Sequence, residues 1–259
     1  MPVAKRSLDA VVVETVFVRF SAAKLDELTA IWDSADETIL DIATRRRLDA
    51  NGLRAGMLIG DLPSFVREQL KETSAEQTTN ALEHAGLAAD VENRMRQMQC
   101  RAGRRKELFV RRDLSEPLTI LYAREDRVAG ETFYQPSLAF DLRATPIEGM
   151  QARITLTPEV QHGDMQQSFV STEFGLRPEL RRPRKTWEDL NVQVDLQPGK
   201  VLLMAATHPT KSVGGAFFTT ETADQAVDHV LMLLRVADTQ IDELFAPSTT
   251  SVAQTMMER

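Results

Sequence analysis

The sequence predicts an α+β protein. A small N-terminal α/β domain spans residues 1–105, an antiparallel β-rich, sandwich-like domain spans 106–240, and a flexible tail spans 241–259. Three observations predict it. Helical periodicity is concentrated before residue 105; short β-branched runs separated by turn residues fill the stretch to about 240. From Pro247 the chain is rich in Ser and Thr, as fraying termini often are.

The elements follow in order. Val11 to Phe20 is β-branched and aromatic, so it reads as a strand. Ser21 stands at the cap position of a helix whose Leu25, Leu28, Ile31 and Trp32 recur on one face. A second helix is expected over Asp36 to Leu48, closed by Asn51-Gly52, and then a strand over Leu53 to Gly60. A third helix is expected over Ser64 to Lys71. Residues 72–90 read as polar loop or frayed helix, and Val91 to Arg105 as helical.

Strands are then expected at Glu107–Arg111, Leu118–Ala123, Ser137–Arg143, Gly149–Thr157, Met165–Glu173, Leu190–Leu196, Lys200–Thr207 and Gly215–Thr219. Arg153 to Thr157 and Asn191 to Leu196 alternate polar and apolar residues, the pattern of a strand with one wet face. His162-Gly163-Asp164, Gln197-Pro198-Gly199-Lys200 and His208-Pro209 mark turns, as do Glu125-Asp126. Val213-Gly214-Gly215 reads as a turn or bulge before Phe217-Phe218. Asp228 to Asp238 reads as a final buried strand, with a helix as the other reading of its apolar run.

The bulk numbers bound the function. At 42% hydrophobic and 27% charged residues, the chain is ordinary for a globular protein. Its net charge of -7 argues against nucleic acid or anionic lipid as a bulk partner. Cys100 is the single cysteine, so no intrachain disulfide can form. No apolar run is long enough for a transmembrane helix, and Val11-Val12-Val13 after Lys5 and Arg6 is too short for a signal-peptide core. The expected location is periplasmic or envelope-associated if an export signal was trimmed, and cytoplasmic otherwise.

No motif supplies a catalytic constellation. His84, His162, His208 and His229 have no metal-ligand spacing, and neither a nucleophile elbow nor a phosphate-binding glycine loop is present, so no cofactor or metal is expected. Cys100 lies among arginines that would lower a thiol pKa, against the plainer reading of a helix residue on a solvated basic face. Two basic clusters remain, one from Arg94 to Arg112 and one from Arg177 to Lys185 followed by Trp187. Their candidate contacts to a ligand or partner are Arg104, Arg105, Arg181, Arg182 and Trp187. Acidic residues interrupt both clusters, which fits solvated faces or contacts to a partner's acidic surface better than a polyanion.

Gly149-Met150-Gln151-Ala152-Arg153-Ile154-Thr155-Leu156-Thr157-Pro158-Glu159-Val160 is followed by Leu190-Asn191-Val192-Gln193-Val194-Asp195-Leu196-Gln197-Pro198-Gly199-Lys200-Val201-Leu202-Leu203-Met204. Over residues 149–219 this order resembles bacterial secretins, the outer-membrane channel proteins of secretion systems and type IV pili. The family carries a strand of the first kind and a later hairpin of the second. Here Ala205-Ala206-Thr207 stands where the family has Gly-Gly, and the family's Pro- and Gly-rich lip is missing. The resemblance implies a structural or interaction module of an envelope assembly, pairing with itself as a homo-oligomer or with another envelope protein, and it implies no catalytic residue. The alternatives are a ligand- or glycan-binding β module, with Trp187, Tyr122 and Tyr134 as stacking residues, or an enzyme assembled from His162, His208, Glu159 and Asp164 near turns.

Overall fold

The computed structural model describes residues 9–58, 60–70, 96–124, 127–148, 150–172, 175–221 and 226–240, and the side chains of all of these except 168–177 and 240. The expected loop at 72–90, the Glu125-Asp126 turn, His84 and the tail at 241–259 lie outside the described residues. The chain is α+β, and antiparallel sheet predominates.

β1 (Ala10–Phe20) is buried along nearly its whole length because its sheet is covered on both faces. Val11, Val13 and Phe17 enter one apolar cluster, and Val18 and Phe20 enter another on the opposite face. This large sheet runs in the order β2 (Ala35–Asp36), β3 (Leu53–Leu58), β14 (Val201–Ala206), β16 (Val227–Gln240), β1 and β4 (Arg96–Arg101), with β15 (Thr219–Glu221) also on β16. All its pairings are antiparallel. The run Val230 to Leu234 is apolar without alternation because Met232 faces one cluster while Leu231 and Leu233 face the other.

On one face of this sheet lie α1 (Leu25–Ala30), the 3-10 turns on either side of it, and α3 (residues 64–70). Leu28, Ile31, Trp32 and Val66 meet Leu58, Leu203, Leu231 and Leu233 there. On the other face, the core is shared with a second antiparallel sheet of β5 (Lys106–Arg111), β8 (Ser137–Pro146), β9 (Ala152–Gln161), β12 (Arg184–Thr186) and β13 (Val192–Leu196). Leu108, Phe140, Ile154 and Val194 from this sheet join Phe17, Met204 and Met232 in one buried cluster. The boundary expected near residue 105 falls between β4 and β5. The large sheet nevertheless takes strands from both sides of it.

Several expected elements are corrected. The second helix starts later, as α2 (Ile42–Ala50), because Asp36 and Asp41 each begin a separate segment. Asp36 accepts from Thr38 N at 2.8 Å and Asp41 accepts from Thr44 N at 2.9 Å, and Leu40 between them is extended. Ser21 makes no side-chain cap bond. Arg96 to Arg101 is a strand, not a helix: Cys100 turns inward while Gln97, Gln99 and Arg101 face out, with the period of two that a strand requires.

The expected strand at Gly215–Thr219, with its turn at Val213-Gly214-Gly215, is instead α4 (Ser212–Phe218). The strand expected at 149–157 runs over Ala152–Gln161, through Pro158. On one side β9 pairs with β13 up to Leu156 and with β12 from Glu159, so Pro158 falls in the gap where no ladder bond is needed. The Pro198-Gly199 turn joins β13 and β14, which belong to different sheets and do not pair with each other. β12 and two further strands, β7 (Arg127–Phe133) and β11 (Gly175–Arg181), carry charges or proline and gave no strand signal.

Candidate functional site

Two hairpins form two-stranded sheets of their own. The first pairs β6 (Leu118–Arg124) with β7, from Leu118↔Phe133 to Arg124↔Arg127. Its base is bolted to the body. Asn51, 1% exposed, donates from Nδ2 to Ala123 O at 2.8 Å and accepts from Ala123 N at 2.8 Å, so one amide satisfies both backbone groups of a β6 residue. Ile120 and Phe133 are buried, and Phe133 meets the ring of Trp187 edge-on at 6.3 Å. The Tyr122 hydroxyl donates to Asp189. Burial, the Asp189 hydrogen bond and the Asp189 charge push its pKa up to about 12.

Among the described residues, the other strand of this hairpin pairs only with β6. Every residue of β7 before Phe133 is exposed, Val128 at 68%, and Leu121 beside it on β6 is 48% exposed. The second hairpin pairs β10 (Gln166–Thr172) with β11, and Met165 and Leu180 at its base are 65% and 68% exposed. No local sequence signal marks these edges and apolar side chains. The alternation of Thr119, Leu121 and Ala123 is readable, but nothing local says which face of β6 the core takes.

The residues expected to contact a ligand or partner fall into two groups. Arg104 and Arg181 are exposed, and Arg181 pairs with Glu179 at 2.7 Å. The other three serve the fold. Arg105 donates to Glu107 at 2.8 Å and to the buried Glu159, and its Nε lies 3.5 Å from Asp141. Burial works against its charge, but the hydrogen bonds and charges of Glu159 and Glu107 outweigh it and hold its pKa above the ordinary value. Arg182 donates to the carbonyls of Gly163 (2.9 Å) and Gln135, to Asp113 Oδ1 at 3.3 Å and to Ser137 Oγ at 3.2 Å, tying three loops to the start of β8. Trp187 is 4% exposed, among Tyr122, Phe133 and Phe217, so its faces offer no stacking platform. Tyr134 is 65% exposed.

The first basic cluster is also dispersed. Arg96 donates to Phe109 O at 2.9 Å, Arg111 donates to Ala216 O at 3.1 Å, and Arg112 lies over the Phe109 ring at 4.0 Å. Cys100 is fully buried on β4, and burial pushes its thiol up to about 11, the opposite of a reactive cysteine.

The dispersed enzyme candidates do not form one site. Glu159 is committed to Arg105 and Gln161, and His162 packs on Phe133 at 5.1 Å. His208 lies instead beside His229, with ring centroids 6.5 Å apart, while Asp164 is exposed. Among the described residues no group of three His, Cys, Asp or Glu side chains could hold a metal ion. A cavity of about 490 Å³ opens between α2 and β3, lined by Arg45, Arg46, Arg54 and Glu37 over Leu48 and Leu53. Arg54 donates to Glu37 from two nitrogens, at 3.1 and 2.6 Å, and stacks over Trp32 at 4.5 Å. It lies outside the β-rich half.

His229 gives a pH prediction. Burial, then the neighbouring His208, lowers its pKa, while Asp228 opposes the shift. Below about 6.5 the unfolded chain takes up a proton here that the folded chain resists, so stability falls as pH drops through that window. Urea midpoints measured between about pH 7 and 5 are expected to fall less for His229→Gln than for the parent chain. Parallel curves would remove His229 as the cause.

Comparison with family models, with curated proteins and with solved structures finds no match for this chain.

Proposed function

We propose that this chain is a non-enzymatic structural or protein-interaction module of a bacterial cell-envelope assembly. It works by strand or surface pairing, with copies of itself or with another envelope protein. The observation that carries the pairing reading is a pair of hairpins that take no further strand among the described residues, with Leu121, Val128, Met165 and Leu180 exposed. An isolated two-stranded ribbon is marginal in water, and an unpaired edge is a template for a further strand. The two facing sheets around one apolar cluster support a sandwich-like body, a rigid platform for such arms. The envelope setting rests on the secretin-like strand pattern of residues 149–219.

Size-exclusion chromatography with light scattering, run over a concentration series, together with pull-down from envelope extracts, tests the reading. A mass that rises with concentration, or a partner retained in proportion to the chain, is expected. A strictly monomeric chain that retains nothing would sink it.

A further inference from the structure

We infer that β7 is a self-pairing edge: two copies of the chain join antiparallel along Arg127–Phe133, with Ala129 opposite Ala129 on the twofold axis. This rests on the interaction-module reading and names its partner as a second copy.

The argument starts from the edge. β7 pairs with β6 on one side, and all of its residues before Phe133 are exposed. In an antiparallel ladder, hydrogen-bonded and non-hydrogen-bonded pairs alternate, so every second residue of an edge strand turns its N–H and C=O away from its neighbour. Natural edges are usually blunted by brevity, proline or central charges. β2 is two residues long and β11 carries Pro178, but Val128-Ala129-Gly130 at the middle of β7 has none of these devices.

The sequence of β7 is complementary to itself in one register. Centred on Ala129, Arg127 of each copy stands opposite Glu131 of the other, so one contact is made twice. Opposite charges across a ladder stabilise it, and like charges destabilise it. Within its own hairpin Arg127 faces Arg124, a like-charge pair that a second copy's carboxylate would relieve. Glu131 lies 3.5 Å from Lys185 in a pair about half exposed on both sides, which does not commit it.

The side chains agree on the other face. The same register sets Val128 opposite Gly130 twice, a branched side chain beside a position with none. Leu121 lies across Gly130 from β6: a Cβ added at Gly130 would meet Leu121 Cδ2 at 3.1 Å. Val128 from the second copy would therefore come alongside Leu121, covering two of the exposed apolar residues with each other. The result is one four-stranded sheet, β6-β7-β7-β6, in place of two marginal ribbons.

The test uses the full chain carrying Ala129→Cys. Residues directly opposite have Cβ atoms within reach of a disulfide, whereas Val128 and its own copy are diagonal neighbours at about 7–8 Å, beyond it. Cys100 is buried and does not compete. Under mild oxidation Ala129→Cys is expected to give covalent dimer at least about tenfold faster than Val128→Cys. Adding Arg127→Glu should slow it about tenfold, and adding Glu131→Arg to that variant should restore it. Equal rates for the two cysteines, or no restoration by the swapped pair, would overturn the register and the self-pairing. If self-pairing fails while the chain still retains a partner from extracts, the interaction-module reading stands without it; if both fail, both fall.

Discussion

Replacing Gly214 with Ala is expected to cost at least about 3 kcal/mol of folding stability and to leave much of the chain unfolded or insoluble. A Cβ at this position would lie 1.7 Å from the carbonyl oxygen of Gly52, 2.2 Å from its carbon and 2.9 Å from Leu53 N. All three are backbone atoms, so no side chain can rotate away. α4 and the turn after α2 would have to separate. That separation would break the bond from Gly214 N to Asn51 O, 2.9 Å, and strain that from Thr207 N to Gly52 O, 2.8 Å. Gly52 is itself required as glycine for two reasons of its own: its φ is positive, 73°, and a Cβ there would meet Lys211 O at 2.0 Å. Its partner residue Asn51 holds β6, so the damage would reach the base of the first hairpin. Gly215→Ala is the control. Its Cβ would meet nothing nearer than Thr210 at 3.7 Å, and alanine in a helix is expected to be neutral or stabilising by up to about 1 kcal/mol. Urea melts of the two variants decide it. A Gly214→Ala midpoint within error of Gly215→Ala would show that the interlock is not tight.

The same glycine explains what the sequence could and could not say. β1 was legible because its β-branched and aromatic run leaves little choice in a sheet covered on both faces, whereas the apolar run of β16 admits a helix as well as the strand it forms. α4 was not legible. Val213-Gly214-Gly215 looks like a turn to any local reading, and the reason for Gly214 is a backbone contact with Gly52, remote in sequence. β4 carried a readable alternation at Gln97, Gln99 and Arg101, but its long side chains suit a helix equally well, and only pairing with β1 decides between them. Trp187 follows a basic, proline-broken stretch and looks solvent-facing; its burial depends on Phe133 and Phe217 from distant elements. β7 gave no strand signal because Gly130 and two charges depress its propensity. The same glycine and charges are what make its edge complementary to a second copy.

Arg105 was expected to face a partner, and its removal is expected to be the second most damaging change, at about 3 kcal/mol for Arg105→Ala. The cause is what it leaves behind. Glu159 is 1% exposed and Asp141 13%, and Arg105 bridges both of them to Glu107. Without the guanidinium, Glu159 keeps one neutral donor, Gln161 Nε2 at 3.1 Å, and two acidic neighbours are held on the same face of the sheet. A buried carboxylate stripped of its cation costs more than the pair contributed while intact. Arg143, 3.0 Å from Asp141, does not replace the lost contact with Glu159, since its side chain is half exposed and directed to Asp141. Arg105→Lys supplies the charge but not the fork that reaches three carboxylates, so an intermediate loss of about 1–2 kcal/mol is expected. The double change Arg105→Met with Glu159→Leu removes both charges and fills the space, and it should recover most of the loss. Urea denaturation of the three variants separates the explanations: if the double variant is no more stable than Arg105→Ala, the cost lies in packing by the arginine stem and not in the orphaned carboxylate.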